Sequence, residues 1–161
     1  MMNKQDIYDF LKEKGIRHGV TEHGAVFNME ELDAVEMPHK DRLAKNLFVR
    51  DDRKENYYLI TVRGERRVDL KEFKRTFGTR HLTFAGEEDI KRMLGVLPGS
   101  VSPFGLLNDS EHMVRFFVDR SFMEGDGLIG IHPNDNTATV WMNFEDLLSI
   151  IREQGNEIQY L

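Results

Sequence analysis

Apolar positions change their period several times along the 161 residues, and each change marks an element. Ile7, Phe10 and Leu11 follow helical spacing up to Gly15, so the first dozen residues predict an amphipathic helix stopped by glycine. A short strand is expected at 17–21. Asn28 has the chemistry of a helix cap ahead of MEELDAV, which must end near Met37-Pro38 because the residue before a proline avoids the helical region. Two runs rich in β-branched and aromatic residues follow, LAKNLFVR (43–50) and NYYLITVR (56–63), and the polar DDRKE between them predicts an antiparallel hairpin. Asp69 caps LKEFKRTF, stopped at Gly78, and 87–94 forms another short helix before Gly95. Beyond a loop rich in Gly, Ser and Pro, the segments MVRFFVDRSF, GLIGIHP and TATVWM predict three strands, the last two joined by a tight NDN turn. Asn143 caps a closing amphipathic helix with Leu147, Leu148, Ile150 and Ile151 on or near its core side. Interspersed strands and helices, without repeats, predict an α+β (mixed α/β) single domain over 1–161, with a mixed, largely antiparallel sheet and surrounding helices.

Composition narrows the chemistry. A chain of this length with 40% hydrophobic and 31% charged residues can bury its own core, and no apolar run approaches the ~20 residues of a membrane span. The first residues lack the apolar core of a secretory signal, so the expectation is a cytoplasmic protein with no membrane role. With no cysteine, disulfides, thiolate nucleophiles and Cys-ligated zinc are excluded. The six histidines show no metal-binding spacing, and neither a P-loop nor G-x-G-x-x-G occurs; no metal and no cofactor are expected. The net charge of -6 speaks against a protein that coats nucleic acid. Yet Arg63, Arg66, Arg67, Lys71, Lys74, Arg75 and Arg80 face only Glu65, Asp69 and Glu72 between 63 and 81. That local excess is either a solvated face or a phosphate-contacting patch.

Three features could carry a reaction. Strand alternation puts Lys45 with Leu43, Leu47 and Val49, which places a lysine on an apolar face. Such a lysine sits at a frayed strand end, snorkels to water, or faces a pocket. PGSVSP (98–103) sets two hydroxyls and a glycine between prolines, where backbone N–H groups can converge on a carbonyl or oxyanion; an ordinary turn has the same composition. G-x-S-x-G is absent, so this loop is not a serine-hydrolase elbow. His132 closes the GLIGI run, on the side of Gly130 and Leu128.

LAKNLFVRD (43–51), LPGSVSPFGLLND (97–109) and GIHPNDNTATVWM (130–142), in this order and over essentially the whole chain, resemble the YbaK/prolyl-tRNA-synthetase-associated domain family, in particular its stand-alone alanyl-tRNA(Pro) deacylases. The resemblance implies a YbaK-like fold and a trans-acting esterase that removes alanine from mischarged tRNA(Pro), without a cofactor. It makes Lys45 the functional centre with Asn46 beside it, and assigns Gly99, Ser100, Ser102, Gly130 and His132 to the aminoacyl pocket. The Lys45-Asn46 pair favours alanine over cysteine. Lys45 either anchors the ribose or phosphate of the 3′ end or, desolvated, acts as a base. The acceptor end of mischarged tRNA(Pro) is the expected partner, with Arg66, Arg67, Lys74, Arg75 and Arg80 as candidate contacts, and prolyl-tRNA synthetase is a second candidate partner. Two rivals remain: a cysteinyl-tRNA(Pro) deacylase, and a non-catalytic module that binds tRNA or the synthetase.

Overall fold

The computed structural model describes residues 1–161. Helix α1 (Lys4–Glu13) begins in a capping box in which the Asn3 side chain accepts from Asp6 N and the Asp6 carboxylate accepts from Asn3 N, both at 3.0 Å. It leads into β1 (His18–Glu22) and the brief α2 (Met29–Asp33), capped by Asn28 as expected. The hairpin is present as β2 (Ala44–Asp51) and β3 (Tyr57–Arg63), followed by α3 (Leu70–Phe77) under its Asp69 cap. Then come β4 (Leu82–Phe84), α4 (Glu87–Leu94), β5 (Val114–Val118), β6 (Leu128–Ile131), β7 (Ala138–Asn143), α5 (Phe144–Gln154) and β8 (Ile158–Tyr160). Gly78, Gly95 and Gly155 end their helices in the left-handed conformation.

The strands form two sheets rather than one. Five run in the order β4-β2-β3-β5-β8 and three in the order β1-β7-β6. Pairing is antiparallel except for β3–β5 and β5–β8, which are parallel because helices and loops intervene between those strands in the chain. A single bridge between Leu43 and Gly130 joins the sheets. Two expectations need correction. The MVRFFVDRSF run stops being a strand at Val118, because the Asp119 side chain accepts from Ser121 N at 2.9 Å and turns the chain into a short 3-10 helix, Arg120–Met123. The short edge strands β4 and β8 are absent from the expected elements, since three residues are too few to show a period.

Strand β3 is buried at every position from Tyr57 to Val62, which explains why its sequence is an unbroken run instead of an alternation. One face of the five-stranded sheet, with Phe48, Tyr57, Leu59, Phe116 and Val118, packs into the main core with Ile7, Leu11, Phe104, Leu147 and Ile151. The other face, with Val49, Tyr58, Ile60, Val62 and Phe117, is covered by Phe73 and Phe77 of α3. Lys45 belongs to the row of this second face, opposite Val62 at the start of β2. No helix of the protein is long and apolar enough to cross a membrane.

Candidate active site

Where β2 begins, four separate segments meet around a cavity of about 250 Å³. Ala44, Lys45 and Asn46 come from β2; Val26, Phe27, Asn28, Met29 and Leu32 from the α2 segment; Pro98, Gly99 and Val101 from the 98–103 loop; and His132 from the end of β6. Half of the lining is apolar, and Asn28, Lys45, Asn46 and His132 supply its polar side chains. Lys45 is the one formally charged side chain in the lining.

Each polar group has its donors and acceptors set by a neighbour. His132 Nδ1 lies 2.9 Å from the Ala138 carbonyl, which can only accept, so Nδ1 carries the proton and Nε2 is left as an acceptor. Burial holds the His132 pKa below the usual imidazole value, aided by the nearby His23 ring and opposed by the Ala138 carbonyl and Asp135, so the ring is neutral at pH 7. Asn46 Oδ1 accepts from the Thr61 hydroxyl at 2.6 Å, an arrangement that leaves its NH2 as a donor without a protein partner. The Lys45 ammonium donates to the Arg66 carbonyl at 2.5 Å, so the lysine is held by the turn after β3. Gly99 lies close against its neighbours: a Cβ there would lie 2.9 Å from Phe27 Cδ1 and 3.2 Å from Asn136 Nδ2, so a side chain at 99 would displace the Phe27 ring. Asn136 in turn fastens the α2 side, with its amide donating to the Val26 carbonyl at 2.8 Å and its own carbonyl accepting from Val26 N at 3.2 Å.

Three residues assigned to the pocket do not line it. Ser102 is fully buried and its hydroxyl accepts from Phe104 N at 3.1 Å, which makes it the cap of the turn Pro103–Asn108. Ser100 is also buried, behind Gly99. Gly130 lies beneath the ring of its cross-strand partner Trp141, where any Cβ would collide, so its role is to make room for that ring. Conversely, residues 26–32 form one whole wall and are missing from the candidates named by sequence. The signal available was Val26, Phe27, Met29 and Leu32 in a segment too short to be an independent helix; Phe27 stays 69% exposed.

The basic run is less free than its composition suggests. Arg66 Nη1 lies 3.2 Å from the buried Asp119 carboxylate, and Arg80 forms a two-pronged pair with Asp52 at 2.6 and 2.9 Å. Arg67 lines a second cavity of about 230 Å³ with Phe73, Phe77 and Leu161, on the α3 face of the sheet. Lys74 and Arg75 are exposed on the last turn of α3 and take part in no ion pair.

The family described as the aminoacyl-tRNA editing domain matches residues 23–150, a span that contains every lining residue of the cavity. This chain belongs to that family. The editing domain is also similar to the prolyl-tRNA editing protein ProX of Acetoanaerobium sticklandii, with 35% identity over 153 residues, 95% of this chain and 93% of the relative. Prolyl-tRNA synthetase associated domain-containing protein 1 of Mus musculus is 35% identical over 149 residues, 88% of this chain and 85% of that one. Among solved structures, one described as a candidate trans-editing enzyme for prolyl tRNA synthetase superposes with a TM-score of 0.71 at 20% identity, covering 98% of this chain and 95% of that one. At that identity the superposition speaks for the fold of the editing domain alone.

Proposed function

We propose that residues 1–161 act as one editing domain that hydrolyses alanyl-tRNA(Pro) in trans, releasing alanine and tRNA(Pro). The observation that carries this reading is the convergence of Lys45, Asn46, the Gly99 loop and a neutral His132 on one small cavity. An aminoacyl ester is already activated, so the protein needs to orient water, hold the terminal ribose and stabilise the oxyanion. Water oxygen bonds to the ester carbonyl carbon, the bond from that carbon to the ribose oxygen breaks, and the proton released by water ends on the ribose oxygen. The Asn46 NH2 and the backbone N–H groups around Gly99 are donors suited to the carbonyl oxygen. His132 Nε2, an acceptor, suits the α-ammonium of the aminoacyl group. The Lys45 ammonium suits the ribose or phosphate of the terminal adenosine.

Met29, Leu32 and Val101 line the sides of the cavity and are the side chains on which exclusion of the proline ring would rest. A second check of this kind is useful because one methylene changes binding by only ~1–3 kcal/mol at a synthetase. The names of the relatives support tRNA(Pro) as the carrier and prolyl-tRNA synthetase as the source of mischarged substrate, a reaction that belongs with translation in the cytoplasm. The test is hydrolysis of alanyl-, cysteinyl- and prolyl-tRNA(Pro) by catalytic amounts of protein. Turnover of the alanyl ester with the prolyl ester spared is the expected result. Turnover of the cysteinyl ester alone would move the specificity to cysteine, and no turnover of any ester would leave a binding module.

A further inference from the structure

The turn that receives Lys45 is itself held from the far side by a carboxylate outside the cavity. Asp119 follows β5 and is 4% exposed. Its Oδ1 accepts from Ser121 N at 2.9 Å, its Oδ2 from Arg63 N at 3.4 Å, and Arg66 Nη1 lies 3.2 Å from Oδ1. Burial alone would raise the Asp119 pKa; the Ser121, Arg63 and Arg66 donors outweigh it and keep the carboxyl below its ordinary value, ionised at neutral pH. Register explains why the link is indirect. Lys45 is opposite Val62 on β3, and Thr61 is opposite Val118 on β5, so Asp119 lies on the row of Lys45 two strands away. With ~4.8 Å between strands, the two backbones are about 10 Å apart. Arg66 spans that gap with both of its ends, its carbonyl on the Lys45 ammonium and its guanidinium on Asp119.

We propose that Asp119 is a positioning residue which, acting through Arg66, fixes where the ammonium of Lys45, a residue of the cavity lining, is held. The inference rests on the reading of Lys45 given above. The turn has little other freedom: Arg66 N donates to the Arg63 carbonyl and Gly64 N to the Leu43 carbonyl, each at 2.9 Å. A lysine has four rotatable bonds and loses about 2 kcal/mol of side-chain entropy when fixed. A carbonyl already held at one point by an ion pair to the buried Asp119 carboxylate confines that side chain before substrate arrives, which acts on the rate of the chemical step more than on tRNA affinity. Capping the Arg120–Met123 turn needs only the bond from Ser121 N, so the ion pair to Arg66 is the part of Asp119 that serves the site.

The experiment compares Asp119→Asn, Arg66→Gln and Arg66→Lys with the wild type in two ways. One is the rate at which a small acylating reagent modifies the Lys45 amine, read by peptide mass spectrometry against Lys14 as an internal reference; the other is kcat and KM for alanyl-tRNA(Pro). Asp119→Asn and Arg66→Gln are each expected to raise Lys45 labelling several-fold and to lower kcat about ten-fold, the size of one charge-assisted hydrogen bond, with KM nearly unchanged in Asp119→Asn. Arg66→Lys should restore part of both. Labelling and kcat that stay at wild-type values in folded variants overturn the proposal, as does a fall in melting temperature without any change in labelling. If Asp119→Asn does not fold, the exposed Arg66 variants decide the matter by the same two readouts. Altered labelling in a protein that hydrolyses no aminoacyl ester keeps the positioning role and removes the proposed reaction instead.

Discussion

The lining of the cavity holds one charged side chain, Lys45, among neutral donors and acceptors, whereas the stretch from Arg63 to Arg80 holds seven basic residues. By number alone the second region looks like the place where nucleic acid is handled. In the fold, however, Arg63, Arg66 and Arg80 are each met by a carboxylate from outside the run, which leaves fewer cations free than the sequence suggests. A half-buried ammonium among uncharged groups is screened less than fully exposed cations, which are weakened by solvent and salt. The difference shows why the position of a charge outweighs the density of charge along a sequence.

The contrast breaks most decisively at Lys45. Lys45→Ala is expected to lower kcat/KM for alanyl-tRNA(Pro) by about 10²-fold or more while the thermal melt stays near wild type; a folded variant with near-normal turnover would take the lysine out of the reaction. Next in size, Gly99→Val pushes a branched side chain against Phe27 and Asn136, and the strain of overpacking, ~1–3 kcal/mol, should appear as a roughly ten-fold loss of kcat/KM. Equal activity there would show that the 98–103 loop yields freely and does not set the cavity.

On the basic side the expected effects are smaller and of another kind. Replacing Lys74 and Arg75 together by Ala should raise KM a few-fold and reduce the slope of log affinity against log salt by about one for each phosphate no longer neutralised. Arg80→Ala, which removes a guanidinium already paired with Asp52, should alter that slope less. If Arg80→Ala has the larger effect, tRNA displaces Asp52 and the comparison reverses.

The smallest effect concerns pH. The folded pKa of His132 is depressed below its unfolded value of about 6.5, so the unfolded chain takes up the proton first as pH falls. Stability therefore declines as pH drops through 6.5 and levels off, as far as this group is concerned, below the folded pKa. Denaturant melts between pH 7.5 and 5 should show a slope of at most about 1.4 kcal/mol per pH unit from this ring, and His132→Gln should flatten it. An unchanged slope in the variant would assign the dependence to other groups.

Much of this architecture is legible in the chain itself. The caps at Asn28, Asp69 and Asn143, the glycine stops, the hairpin and the row shared by Lys45, Leu47 and Val49 all follow from local periodicity and side-chain chemistry, and all are present. What is not legible is decided by contacts between distant parts of the chain. Nothing local says that Asn136 fastens Val26, that Leu43 bridges to Gly130, or that Arg66 meets Asp119. The wall formed by 26–32 exists because that segment leans on the 98–101 loop and on β2, and its own five-residue helix carries too short a pattern to announce it. The resemblance names residues that line the cavity, such as Asn46 and Gly99, together with residues that do not, such as Ser100 and Ser102, since both kinds fall within the same motifs.

The seating of Trp141 over Gly130 sets a rule for how this fold can drift. Position 130 is bridged to Leu43, two residues before Lys45, so any outward push there is transmitted to the start of β2. A side chain gained at 130 is tolerable only if volume is given up at 141, which makes the two positions a covarying pair. Gly130→Ala alone should be costly, Trp141→Phe alone should leave a void, and the two together should recover much of what each loses.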